Sequence, residues 1–174
     1  YIKSNPRCLG SFVFLWGQKE ERTPTWCSMF VEDSVDGRPL QGEKTPMREA
    51  MLRMWTGQEP TQTAPVLEQH LTLNGAFAQS NITLAKNEEA VVQVKVTDKE
   101  NDSLCYVWEI LKEATVLGFG GSFEPRPDRV GEPQQTDVPE LSIQLDEPGE
   151  YRLYVYVLDG TGFVSTDNIP FRVR

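Results

Sequence analysis

The sequence predicts a mainly β protein: an immunoglobulin-like antiparallel β-sandwich over residues 66–174, preceded by a short strand, loop and helix over residues 1–58. Three observations predict it. From residue 66 onward apolar residues recur with a period of two, as on strands with one buried face. Turn formers separate the alternating stretches, and about seven such stretches in a domain of this size read as a sandwich. Before residue 58 the pattern differs, because Phe12-Val13-Phe14-Leu15-Trp16 is an unbroken apolar run. Such runs belong to strands covered on both faces, as in parallel sheets. Leu9 to Gln18 is therefore expected to be a doubly buried strand. The remaining sequence offers it no parallel neighbours, so the expectation is the last strand of a larger α/β domain.

The elements follow in order. A polar stretch, Lys19 to Trp26, leads to a second apolar one, Cys27 to Val31. Asp36-Gly37-Arg38-Pro39 signals a turn. Thr45-Pro46 opens a helix, with Thr45 as N-cap and Pro46 at the first helical position. Met47, Ala50, Met51 and Met54 recur at helical spacing as its apolar face, Arg48, Glu49 and Arg53 take the polar side, and Gly57 stops it. Chains below about 40–60 residues rarely bury enough surface to fold alone. Residues 1–58 are therefore expected to dock on the sandwich or on a second copy of the chain, hiding Phe12, Phe14 and Trp16. Residues 59–65, polar and carrying Pro60 and Pro65, read as a linker.

In the sandwich, Leu71/Leu73 and Ile82/Leu84 mark short strands. Longer ones run over Ala90–Thr97, Leu104–Leu111, Leu141–Leu145, Tyr151–Leu158 and Ile169–Arg174. Trp108 is placed in the core, on a middle strand where immunoglobulin-type folds bury a tryptophan. Tyr154 and Tyr156 fall on the opposite face, either as an exposed aromatic platform that could hold a glycan together with Phe119 and Phe123, or packed under the long loop or the N-terminal unit, the second being preferred. The connection from Lys112 to Pro139, rich in Gly and Pro, is unusually long. Such loops are functional or mobile, or this one hides a short extra strand.

Composition narrows the function. A net charge of −9 argues against nucleic acid, which needs clustered Lys and Arg. No window holds the roughly 18 to 20 apolar residues of a membrane span. Cys8, Cys27 and Cys105 form neither a disulfide framework nor a zinc pattern, and His70 is the only histidine. Asp98, Glu100 and Asp102 sit in one turn and present alternating oxygens to which Ca²⁺ could bind. The competing reading is a solvated hairpin turn, since these are ordinary turn residues. No other cofactor is implied. Asn81-Ile82-Thr83 matches the N-glycosylation pattern.

Two stretches carry resemblances. Gly149-Glu150-Tyr151, Val155-Tyr156-Val157-Leu158-Asp159-Gly160, Val96-Thr97-Asp98 and Tyr106-Val107-Trp108 resemble the PKD or cadherin-like modules of secreted and cell-surface proteins. That resemblance implies a spacer or adhesion role. The run Leu9 to Lys19, with Arg22-Thr23-Pro24-Thr25-Trp26 and the Thr45–Trp55 helix, resembles the final βα unit of a TIM-barrel glycoside hydrolase of the β-galactosidase/β-glucuronidase type. It implies that the first unit is the remnant of an α/β barrel, that Trp16 stacks on a sugar ring, and that Gln18, Lys19 and Trp26 line the same rim. Packing roles for Trp16 and Trp26 are the alternative. Such hydrolases use two separated carboxylates. Glu20 and Glu21 are adjacent and are assigned no catalytic role. The expected function is a catalytically inert C-terminal fragment of a secreted or cell-surface hydrolase, bacterial and periplasmic locations included, with the sandwich as spacer or accessory module. The alternatives are a carbohydrate-binding module and an adhesion module with no enzymatic parent.

Overall fold

A computed structural model describes residues 4–23, 28–31, 42–119 and 122–174. In chain order the elements are β1 (Phe30–Val31), β2 (Glu43–Lys44), α1 (Pro46–Thr56), β3 (Val66–Leu73), a 3₁₀ turn (Ala78–Ser80), β4 (Thr83–Leu84), β5 (Glu89–Thr97), β6 (Cys105–Lys112), β7 (Gln134–Thr136), β8 (Glu140–Gln144), β9 (Gly149–Leu158) and β10 (Val164–Val173). A three-stranded sheet, β3-β5-β8, faces a five-stranded one, β4-β10-β9-β6-β7. Neighbours within both are antiparallel except the short parallel pairing of β4 with β10. This is the immunoglobulin-like order, and the expected strands are present. β7 is the extra strand inside the Lys112–Pro139 connection.

The alternation predicted from sequence explains the core. Leu71, Leu73, Val92 and Ile143 from one sheet meet Trp108, Leu153, Val155, Ile169 and Phe171 from the other. Trp108 is only 1% exposed, and its indole N–H donates to Thr136 Oγ1 at 2.9 Å, so its one polar atom is satisfied from β7. At the start of β9 the Tyr151 hydroxyl donates to the Glu147 carbonyl at 2.8 Å, the corner found at the equivalent strand of immunoglobulin-type sandwiches. Gly149 makes room for it, because a Cβ there would stand 3.1 Å from the ring. Tyr151→Phe keeps the ring and leaves the carbonyl without this donor. It is expected to lower stability by about 1 kcal/mol in urea unfolding, with no change in the slope.

The second face of the large sheet departs from simple alternation. β5 and β8 alternate between buried and exposed, whereas Tyr106 to Leu111 and Leu153 to Val157 are buried without interruption. These two strands are covered on both sides. Val107, Leu111, Tyr154, Tyr156 and Val164 form a second apolar cluster with Val31 of the N-terminal unit. Tyr154 and Tyr156 are packed away rather than displayed, and burial raises the Tyr154 hydroxyl above the usual tyrosine range.

The N-terminal unit hangs from this face. β1 pairs with β2, Lys44 N–H donates to the Gly162 carbonyl at 2.9 Å, and the Lys44 ammonium lies 4.5 Å above the Phe163 ring. Helix α1 starts and stops where expected. The Thr45 hydroxyl reaches back to the Ser28 carbonyl at 2.7 Å, and Gly57 takes a left-handed φ of 74° that only glycine adopts freely. Its buried face is rotated from the expected one. Met51 is buried, Met47 and Met54 are exposed, and Glu49 is inside. The reason is the 59–65 segment, which is not solvated along its length: Thr63, Ala64 and Pro65 are buried, and the Ala64 N–H donates to Glu49. Burial is the largest influence on the Glu49 carboxyl and raises it above its ordinary range.

The expected doubly buried strand at Leu9–Gln18 is corrected. Among the described residues its ladder is a single parallel bridge, Leu15 with Ser28. Ser11, Val13 and Leu15 turn inward, where the Trp55 indole N–H donates to Ser11 Oγ at 3.4 Å. Phe12, Phe14 and Trp16 turn outward and are 99%, 70% and 59% exposed. A strand of this composition needs a cover on each face; among the described residues, helix α1 reaches the segment at Ser11, through Trp55 and Met54.

Candidate functional site

Of the four residues predicted to line a sugar rim, Trp16, Gln18 and Lys19 follow one another along the extended segment. Trp26 and Cys27 lie outside the described residues. The Trp16 ring leans on Phe30 of β1, centroids 5.5 Å apart and planes tilted by 42°, which fixes one edge and leaves the other to solvent. Gln18 is half-buried. The Lys19 ammonium pairs with Glu21. A tight turn follows, with Arg22 in the left-handed region at φ 62° between the bridged residues Glu21 and Thr23.

That turn is held by the long loop between β6 and β7. The buried Glu124 carboxylate accepts the Arg22 N–H at 2.9 Å on one oxygen and the Gly118 N–H at 2.7 Å on the other. These two backbone donors, the Arg22 amide first, hold the Glu124 carboxyl below the usual carboxylate range. A carboxyl depressed by folding adds stability above its unfolded range and loses it as pH falls through the folded value. Protection of the Arg22 and Gly118 amides, corrected for intrinsic exchange, is therefore expected to fall on acidification below the ordinary carboxylate range. Glu124→Gln removes that pH-dependent step; a step that survives in the variant contradicts the assignment.

Behind the turn lies a row of charges. Arg126 donates to Glu20 at 2.9 Å and to Glu109 at 2.7 Å, and Arg129 Nε stands 3.3 Å from Glu109. Glu109 is 1% exposed and sits in β6 among apolar residues. Glu20, which the sequence left without a role, is the counter-ion that ties the N-terminal segment to the sandwich. Arg126, Glu109 and Glu124 were missed. The available signal was Glu109, a charge inside a strand otherwise apolar on both faces, which demands a buried partner.

The residues considered for calcium are occupied with their own neighbourhood. Asp98 accepts the Asp102 N–H at 2.8 Å, Asp102 accepts from Gln62 at 2.8 Å, and Glu100 accepts from Thr63 at 3.0 Å. Among the described residues no group of three or more His, Cys, Asp or Glu is placed to hold a metal ion. Asp159 accepts from Thr161 and Phe163 in its own turn, and Asp167 accepts the Leu71 N–H at 2.8 Å and faces His70 at 3.1 Å. A cavity of about 500 Å³ between α1 and the sandwich is lined by Glu49, Arg53, Thr63, Lys99 and Ser165. The Ser165 hydroxyl is bonded to the Pro65 carbonyl, and among the described residues no aromatic ring lines the space. Among the described residues no helix is long and apolar enough to cross a membrane.

No protein-family model and no curated protein matches this sequence. Solved structures do resemble it. One is of carbohydrate-binding modules from the β-sandwich superfamily with promiscuous specificity: 20% identity and a TM-score of 0.43 over 66% of this chain and 36% of that one. The chain thus spans about a third of that structure's length. Another is the PmoD soluble domain from Methylocystis sp. ATCC 49242 (Rockwell), 13% identical with a TM-score of 0.35 over 60% of this chain and 90% of that one.

Proposed function

We propose that this chain is a non-catalytic, carbohydrate-engaging part of a secreted glycoside hydrolase, with the sandwich as accessory module behind a sugar-binding rim centred on Trp16. The observation that carries the reading is the outward row Phe12, Phe14 and Trp16 on an extended segment tied to α1 by the Trp55–Ser11 hydrogen bond. An indole face beside an amide (Gln18) and an ammonium (Lys19) suits a neutral polyhydroxylated ligand: the ring takes its C–H faces and the polar groups its hydroxyls. The net charge of −9 favours a neutral ligand over a polyanion. Phe12 and Phe14 extend the apolar surface away from that end.

The test is affinity electrophoresis through gels containing neutral polysaccharides, run with the parent chain and Trp16→Ala. Retardation by at least one polysaccharide is expected, weakened about tenfold in the variant. No retardation in any gel, or retardation indifferent to Trp16, ends this reading. Concentration-dependent sedimentation with no sugar binding would point instead to self-association through Leu9, Phe12 and Phe14, the competing reading favoured by their exposure.

A further inference from the structure

We infer that the outer face of the five-stranded sheet carries a small-molecule site, built around Arg152 and Arg172, that takes one neutral sugar ring. The site shares no residue with the Trp16 segment, so it stands or falls apart from the proposed function.

Strand parity and register place it. On β9, Glu150 and Arg152 have the parity of Tyr154 and Tyr156, so all four side chains belong to the face turned away from the main core. The two tyrosines pack in the cluster that includes Val31 of the N-terminal unit, and the polar end of the same face begins at Arg152. Arg172 of β10 stands opposite Glu150 of β9 and opposite Thr83 of β4, which makes a row across three strands. The Glu113 N–H donates to the Glu150 carbonyl at 2.9 Å and carries the row past the end of β6. A cavity of about 220 Å³ opens between this row, Arg152 and Asn81, which closes the 3₁₀ turn in a left-handed conformation.

Its polar groups are fixed before any ligand arrives. Arg152 Nε donates to one Glu113 oxygen at 3.0 Å and Nη2 to the other at 2.8 Å, while Nη1 donates to Asn168 Oδ1 at 2.6 Å. Arg172 binds a single Glu150 oxygen through two of its nitrogens. No hydrogen bond among the described residues engages the other Glu150 oxygen, the Thr83 hydroxyl or the Asn81 side-chain amide. A guanidinium has five N–H groups, so Arg172 also keeps donors to spare. The wall therefore offers donors and acceptors side by side, at positions set by ion pairs.

The charge balance selects the ligand. Two arginines and two glutamates cancel, which makes the site locally neutral in a chain of net charge −9. An ionic ligand would have to displace a carboxylate from its arginine and lose charge-assisted bonds already made. A polyol uses the remaining N–H groups and lone pairs and breaks neither pair. Ile82 and Pro170 line the same space and supply apolar contact for C–H groups. The volume is below the roughly 300–1,000 Å³ of sites for drug-sized ligands, which limits the occupant to about one ring.

The experiment is proton–nitrogen NMR correlation of the full chain titrated with methyl β-glucoside, methyl β-galactoside and methyl α-mannoside, with glycine as the charged control. The variants are Arg172→Met and Thr83→Val, which remove exposed polar groups and leave the strands intact, and Trp16→Ala. At least one glycoside is expected to shift the Asn81 and Thr83 amides and the Nε–H signals of Arg152 and Arg172 saturably. Affinity should fall about tenfold in Arg172→Met and in the same direction in Thr83→Val, and stay unchanged in Trp16→Ala. No saturable shift at these signals with any of the three glycosides, or unaltered affinity in both sheet variants, overturns the inference. Tighter binding of glycine also overturns it, since a charged ligand would then be competing for the ion pairs. Binding lost only in Trp16→Ala overturns it as well and leaves the proposed function standing.

Discussion

Arg126→Ala is expected to destabilise the protein by about 3 kcal/mol, the cost of leaving a buried carboxylate without its main partner. Arg126 touches Glu109 at 2.7 Å and Glu20 at 2.9 Å, and its own charge is disfavoured by burial but held by Glu109, Tyr156 and Glu20. Without it, Glu109 still has Arg129 at 3.3 Å, which also serves the exposed Glu132. Two effects separate this from an ordinary surface ion pair, which is worth about 0–1 kcal/mol. First, Glu109→Leu added to Arg126→Met should recover most of the loss, because an apolar pair needs no compensation there. Second, the loss should be regional. Hydrogen exchange should accelerate in residues 18–23 and 118–130 well before it does in β5 or β9. Urea unfolding followed by tryptophan fluorescence gives the first, amide exchange the second. A variant as stable as the parent means that the cluster is solvated in solution and does not tie the N-terminal segment down.

How much of this was legible in the sequence depends on whether a feature is local. The strands were, because alternation is written residue by residue, and so were the start and stop of α1 at Thr45-Pro46 and Gly57. Gly149-Glu150-Tyr151 was visible as a turn leading into a strand, whereas the corner made by the Tyr151 hydroxyl, with its ring lying over Gly149, needed the structure. The non-local features were not legible. Parity set Tyr154 and Tyr156 on one face, but whether that face is covered depends on Val31 and the segment around Glu20, distant in sequence. The buried side of α1 was misjudged because the Ala64 amide, not the helix composition, draws Glu49 inward. The Leu9–Trp16 run was read for its composition, and composition states what a segment would bury, not whether its partner is present. At the candidate site Trp16, Gln18 and Lys19 were suggested only by the resemblance of their segment to a barrel strand. Glu124 and Arg126 lie in a loop without periodicity and could be placed only by the fold.

Trp108→Ala should cost about 3–5 kcal/mol, the range for truncating a large buried aromatic. The ring sits in the middle of β6, paired across to Val155 on one side and Gln134 on the other, and stacks on Tyr106 at 6.2 Å. It also holds β7: the indole N–H bond to Thr136 joins the short strand to the core at its exposed edge, and Thr136 in turn donates to the Val138 carbonyl at 2.7 Å. Trp108→Phe therefore separates two contributions. It keeps most of the apolar volume and loses the bond, so it should recover more than half of the stability while leaving β7 amides less protected than in the parent. Stability is read from urea midpoints followed by far-ultraviolet circular dichroism, which does not depend on the mutated fluorophore. Equal losses for alanine and phenylalanine would assign the tryptophan's contribution to its hydrogen bond, and an intact β7 in both would detach that strand from the core altogether. The expected ordering follows from the geometry, since one edge of a fully enclosed ring carries a single bond while its faces fill the space between the two sheets.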